Sequence, residues 1–186
     1  SKRSATQQLA DSPTLFGEIR QPKAGKYLLI PRVSSERRRY IPIGFLSSDV
    51  IASDAVQIIP GATLFHFGVL TSNVHMAWMR VVCGRLKSDY RYSKDLVYNN
   101  FPWCDPTDEQ KARIESTASA ILDARAKYPD SSLARLNEDI GMPPELRKAH
   151  QANDLAVMAA YGFSPKITES ECVAKLMTMY QTLTSS

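Results

Sequence analysis

The 186-residue chain has no long apolar run, little glycine and no paired cysteines, and each lack excludes a class of protein. No apolar stretch approaches the ~20 residues that a membrane-spanning helix requires, so no membrane partner is expected. The start, Ser1-Lys2-Arg3-Ser4-Ala5-Thr6-Gln7-Gln8, leads into no apolar stretch and carries no secretory signal. With 8 glycines and 11 prolines, collagen-like and low-complexity architectures are excluded. The three cysteines, Cys83, Cys104 and Cys172, are too far apart for a zinc or redox motif. Free thiols in a reducing cytoplasm are therefore expected. His66, His75 and His150 share no ligand spacing and are expected to be structural. The acidic pair Glu138-Asp139 lacks the basic partner of a nuclease motif, and a glycine-rich cofactor loop is missing. The chain begins with Ser rather than Met, which points to a piece of a longer polypeptide.

What is present suits one domain or two small ones. A hydrophobic fraction of 44% supports an ordinary buried core without staples. The net charge of +4 hides an asymmetry. Residues 1–103 carry 14 Lys and Arg against 7 Asp and Glu, whereas residues 104–186 carry 9 against 12. A basic first half favours a polyanion; the acidic second half does not.

The pattern changes period along the chain. Residues 1–14 are polar and read as a tether or incoming strand with a short helical possibility. Residues 27–31, 40–46, 49–59 and 63–70 read as strands, the last closing the sheet. Ser72 then caps a helix with Val74, Trp78 and Val81 on its inner face, and Gly84 is placed to end it in a left-handed conformation. Beyond Trp103-Cys104-Asp105-Pro106 the pattern is helical. Thr107 with Gln110, and Thr168 with Glu171, form capping boxes, and Pro144 opens a helix that Gly162 closes. The expected fold class is α+β. A mixed-sheet domain with one helix, residues 1–103, precedes a small all-helical domain, residues 104–186.

Two basic segments carry chemistry. Arg32, Ser34, Ser35, Arg37, Arg38 and Arg39 fall within nine residues, and forked guanidinium donors with compact hydroxyls suit phosphate oxygens. The second runs Arg85-Leu86-Lys87-Ser88-Asp89-Tyr90-Arg91-Tyr92-Ser93-Lys94. If extended, it projects Arg85, Lys87, Asp89 and Arg91 to one side and fastens Leu86, Tyr90 and Tyr92 on the other. Lysine can donate to guanine O6 and N7, and aspartate can accept from cytosine N4, so Lys87 and Asp89 could read one G·C pair. An exposed strand laced by salt bridges fits the same residues.

The words Leu29-Ile30-Pro31-Arg32-Val33-Ser34-Ser35-Glu36-Arg37-Arg38-Arg39-Tyr40-Ile41-Pro42, Phe67-Gly68-Val69-Leu70, Gly84-Arg85-Leu86-Lys87, Tyr90-Arg91-Tyr92-Ser93 and Val97-Tyr98-Asn99-Asn100-Phe101-Pro102-Trp103 together resemble one family. It is the MmeI-like (type IIL) restriction–modification enzymes and related adenine-specific DNA methyltransferases. The resemblance covers nearly the whole chain and implies a target recognition domain followed by the family's C-terminal helical domain. Cys104 stands where the family pattern leads us to expect proline.

The resemblance implies a parent enzyme that moves a methyl group from S-adenosylmethionine to adenine N6 in duplex DNA, and in some members cuts DNA. It implies an upstream methyltransferase domain of the same chain as partner, with no cofactor held in this segment. By position, Lys87 and Asp89 match a base-reading pair, Arg91 a second reader, and Ala55 a partner position where a small side chain leaves room. Arg32, Ser34, Ser35, Arg37, Arg38, Arg39, Arg85, Ser93 and Lys94 are the expected phosphate contacts. Asn99-Asn100-Phe101-Pro102-Trp103 has the wrong order and one proline too few for an amino-methyltransferase loop, and is expected to be an aromatic hinge. The runner-up reading is a protein–protein module that works through its helices.

Overall fold

Tyr27-Leu28-Leu29-Ile30 is apolar and β-prone, and it forms the middle of a sheet. The computed structural model describes residues 18–185 together with Gln7 and Ala10; the expected tether at residues 1–14 otherwise lies outside the described residues. β1 (Lys26–Pro31) lies between β3 (Gly44–Ser47) and β4 (Val56–Pro60), antiparallel to both. Tyr27, Leu28 and Ile30 are buried. At Arg32 the chain bends out of this sheet. The Arg32 N–H donates to the Ala55 carbonyl at 2.9 Å, and its carbonyl accepts from the Tyr92 N–H at 2.8 Å.

That bend joins a second three-stranded sheet, in the order β2 (Val33–Ser34), β6 (Asp89–Arg91), β5 (Gly84–Leu86), again antiparallel throughout. The strands thus divide between two small sheets. Of the stretch 49–59, only Val56 onward is strand; turns close at Ser47–Val50 and Ser53–Val56.

Residues 63–70 do not close the sheet. They form helix α1 (Leu64–Leu70), which departs from the expected strand. Two effects outweigh their β-rich composition. The Thr63 N–H donates to His66 Nδ1 at 3.1 Å, which satisfies one end of the helix. Phe67, Gly68, Val69 and Leu70 are all buried, so the tertiary contact decides the conformation. Gly68 allows that contact, because a Cβ there would stand 2.7 Å from Ile114 Cγ2.

Helix α2 (Asn73–Val82) starts as expected, with Ser72 Oγ accepting from the His75 N–H at 3.3 Å. Val74 and Trp78 are buried, but Val81 is exposed, contrary to the expected face. Gly84 is no left-handed cap either. Cys83 is extended, and the chain passes from α2 directly into β5. A π-helical turn, Lys94–Tyr98, follows the hairpin.

The remainder is helical: α3 (Asp108–Ala126), α4 (Leu133–Leu136), α5 (Pro144–Ala160) and α6 (Glu169–Thr184). The capping boxes at Thr107 and Thr168 are present, Pro144 opens α5, and Gly162 follows it with a φ of 66°. The β-rich and helical parts share one apolar core. Tyr40 stacks on His150 with ring centroids 4.1 Å apart and donates its hydroxyl to Asp154 Oδ2 at 2.7 Å. Asn153 Nδ2 donates to the Gly68 carbonyl at 2.8 Å, and Arg125 donates to the Ile43 carbonyl at 2.7 Å. Tyr161 donates to the Pro102 carbonyl at 3.0 Å, while Phe101 packs edge-on to Trp78, His75 and Trp103. Within the Asn99–Trp103 segment, Phe101 thus packs against rings of both parts, Trp78 and His75 on one side and Tyr161 on the other.

Candidate nucleic-acid interface

β5 and β6 form a hairpin, not one extended row. The register pairs Gly84 with Arg91, Arg85 with Tyr90 and Leu86 with Asp89. Directly opposed residues share a face, so Arg85 lies on the inner, Tyr90 side. Its guanidinium stacks over the Tyr90 ring at 4.2 Å and donates to the Ser88 carbonyl at 2.9 Å. The expected alignment of Arg85 with Asp89 and Arg91 is thus overturned by the turn. Lys87 sits at the tip with a φ of 56°, the sole positive-φ residue other than glycine among the described residues.

The outer face carries Val33, Leu86, Asp89 and Arg91, all at least partly exposed. Ser34 shares the inner face with Tyr90, and it is 2% exposed. Its Oγ accepts from Arg38 at 3.4 Å, so it supports that arginine and offers nothing to an outside phosphate.

The foot of the hairpin opens into a cleft of about 520 Å³. Arg32, Gln57, Arg91, Ser93 and Lys94 line it together. Ala55 is exposed beside it, tied to Arg32 through the backbone. Ser93 Oγ accepts from the Leu96 N–H at 3.4 Å and caps the π-helical turn. Lys94 has one weak neighbour, Asp95 at 3.9 Å. Thus the fold gathers expected residues from three separate stretches.

The arginine run lies elsewhere. Arg37, Arg38 and Arg39 line a second cleft of about 410 Å³, together with Arg80 and the acids Glu36, Asp139 and Glu169. Ser35 closes a turn, its carbonyl accepting from the Arg38 N–H and its Oγ from the Arg37 N–H. Arg38 bridges Glu138 through the backbone. Arg39 donates its N–H to the Asn137 carbonyl at 3.1 Å and lies against the Tyr40 ring. Arg80, which sequence reasoning missed, pairs with Glu169 at 2.9 Å. Only the fold joins residues so distant in the chain.

The cysteines and histidines are set by burial. Burial pushes the thiols of Cys104 and Cys172 up to about 11, the wrong direction for a reactive thiolate. Burial holds His75 down at about 3, and its Nε2 lies 3.1 Å from the Tyr92 hydroxyl. His150 is likewise depressed by burial. Among the described residues, no three or more His, Cys, Asp or Glu are grouped to hold a metal ion. Nor, among them, is any helix long and apolar enough to cross a membrane.

The fold has relatives among known proteins. A solved structure of the type IIL restriction–modification enzyme MmeI in complex with DNA superposes with a TM-score of 0.91 at 50% sequence identity, covering 98% of this chain and 24% of that one. "DNA methyltransferase A" of Bacillus subtilis (strain 168) is 36% identical over 184 residues, which is 99% of this chain and 21% of the relative. This chain therefore spans under a quarter of the length of either. The family model for the MmeI target recognition domain matches residues 1–105, and that for the MmeI C-terminal domain matches residues 106–186. The chain belongs to the MmeI family and carries its target recognition and C-terminal domains.

Proposed function

We propose that this chain is the duplex-DNA recognition module of an adenine-N6 DNA methyltransferase of the restriction–modification type. The observation that carries the reading is the outer face of the β5–β6 hairpin. Asp89 and Arg91 stand side by side there, Lys87 forms the tip, and none of the three side chains has a hydrogen bond or ion pair among the described residues. Lys87 is also held where glycine or asparagine would cost less, and strain of roughly 1–3 kcal/mol of this kind gathers at functional sites. In this reading Lys87 donates to a guanine edge, Asp89 accepts from cytosine N4, and Arg91 reads a second position. Ala55 leaves room for a base edge beside Arg91. Arg32 and Lys94 hold phosphates in the cleft, and Arg37 holds one farther along.

The methyl donor, S-adenosylmethionine, belongs to the upstream methyltransferase domain, the intramolecular partner. The clefts here do not fit it. They are lined by arginines with residues of strands, helices and loops, and neither holds the glycine-rich turn between strand and helix that a nucleoside cofactor needs. The cytoplasm, where such an enzyme meets DNA, is the proposed compartment.

The test is the double exchange Lys87→Glu with Asp89→Arg in the full-length enzyme. Donor and acceptor are then reversed, and sequencing of methylated sites should show G replaced by C at one position. An unchanged site would overturn base reading by this hairpin.

A further inference from the structure

We infer that Gln57 is an additional base-reading residue, one that recognises an adenine edge in the major groove. The inference rests on the DNA-recognition reading and extends it to a residue outside the hairpin.

Three observations converge on it. First, Gln57 stands opposite Ile30 in the β1–β4 register, and Ile59 stands opposite Leu28. Opposed residues share a face, and next-nearest residues on a strand do too. Gln57 therefore points to the same side as Ile30, which is 1% exposed. The pattern of that face asks for an aliphatic residue, and the sequence puts an amide there. Second, the amide makes no hydrogen bond among the described residues, although it is half-buried. Its polar atoms are not among the buried ones left without a partner, so they remain accessible at the cleft and open to a ligand. Third, Gln57 lies at the lip between two spaces. One is the cationic cleft of Arg32, Arg91 and Lys94. The other is an apolar pocket of about 200 Å³, lined by Ile30, Ile59, Tyr92 and Tyr98.

The chemistry selects the ligand. A phosphate would go to the guanidinium groups, since an amide carries no charge. An amide offers a donor and an acceptor side by side, the complement of adenine N7 and N6. The nearby cations hold the backbone while the amide meets the base edge. Gln57 is two residues beyond Ala55, whose carbonyl accepts from Arg32, so all are fixed to one another through the backbone.

The test uses three variants of the full-length enzyme, Gln57→Glu, Gln57→Leu and Gln57→Ala, with sequencing of methylated sites and a melting curve for each. Gln57→Glu should move the preference at one position from adenine to cytosine, because a carboxylate accepts from cytosine N4. Gln57→Leu and Gln57→Ala should relax that position, with discrimination falling about 10- to 100-fold. Gln57→Leu should melt no lower than the parent, because leucine suits the apolar face. If Gln57→Leu methylates the original sites with unchanged discrimination, the inference is overturned. The Lys87/Asp89 exchange, run alongside, separates the two ideas. A changed site there with unchanged Gln57 variants removes only Gln57; no change in either removes DNA reading by this module as well.

Discussion

Two segments rich in arginine, alike in composition, occupy opposite situations in the fold. The run from Arg37 to Tyr40 is sewn into the helical part, whereas the hairpin from Gly84 to Arg91 stands clear of it. In the first, backbone bonds reach Asn137 and Glu138, and Tyr40 reaches Asp154, 114 residues away. In the second, Tyr90 anchors the inner face and Asp89 and Arg91 project outward. Positive charge alone therefore does not make a surface available to a partner; the freedom of its donors does. Backbone bonds from Arg38 and Arg39 tie the run to the helical part, whereas the side chains of Lys87, Asp89 and Arg91 have no hydrogen bond or ion pair among the described residues.

The comparison breaks most sharply under stability measurements. Tyr40→Ala removes a side chain that is 1% exposed, its stacking on His150 and its bond to Asp154. We expect a loss of about 3–5 kcal/mol, read from urea unfolding midpoints. Arg91→Ala, on the exposed hairpin, should change stability by no more than about 0.5 kcal/mol. Comparable losses from both would show that the hairpin is structural too.

The next effect depends on pH. Asp154 accepts from the Tyr40 hydroxyl and from the Asn73 N–H at 2.8 Å, yet burial raises its carboxyl to about 6 from an ordinary 3.8. The folded state thus holds this proton more tightly than the unfolded state. Its contribution is complete below pH 3.8 and is lost as pH rises through about 6. The shift corresponds to about 3 kcal/mol. Asp154→Asn should therefore gain on the parent as pH rises from 4 to 7, and the gap should then level off. His75 and His150, both depressed by burial, work in the reverse direction below their ordinary pKa, so the comparison between variant and parent isolates Asp154. A gap constant with pH would mean that Asp154 is ionised throughout.

Legibility in the sequence followed the range of the forces involved. The caps at Thr107 and Thr168 act over three residues, and both were readable because each is closed within its own first turn. The α+β class followed from the change of period near Trp103. Helix α1 was not readable, because a short apolar segment with four consecutive buried residues, Phe67 to Leu70, has no periodicity to separate helix from strand. The hairpin was hidden for another reason. Its turn, Lys87-Ser88, has none of the glycine or asparagine that normally announces one. The outward aim of Asp89 and Arg91 survived that error, since both lie on one strand, but Arg85 changed sides. The seam around Tyr40 lay beyond reach, as its partners are fixed only once the helical part has packed.

The smallest expected effect lies within the arginine run itself and sharpens the contrast. Arg37 is exposed, and its guanidinium has no partner among the described residues. Arg38 is half-buried, with its guanidinium turned to Ser34. If phosphate binding requires an available donor, Arg37→Gln should lower the slope of log affinity against log salt by about 0.9, and weaken binding to every duplex alike. Arg38→Gln should leave the slope unchanged while lowering the unfolding midpoint. Titrations of labelled duplexes of cognate and scrambled sequence, at several salt concentrations, measure both. Equal slopes for parent and Arg37→Gln would assign the whole run to the seam and confine DNA contact to the hairpin and its cleft.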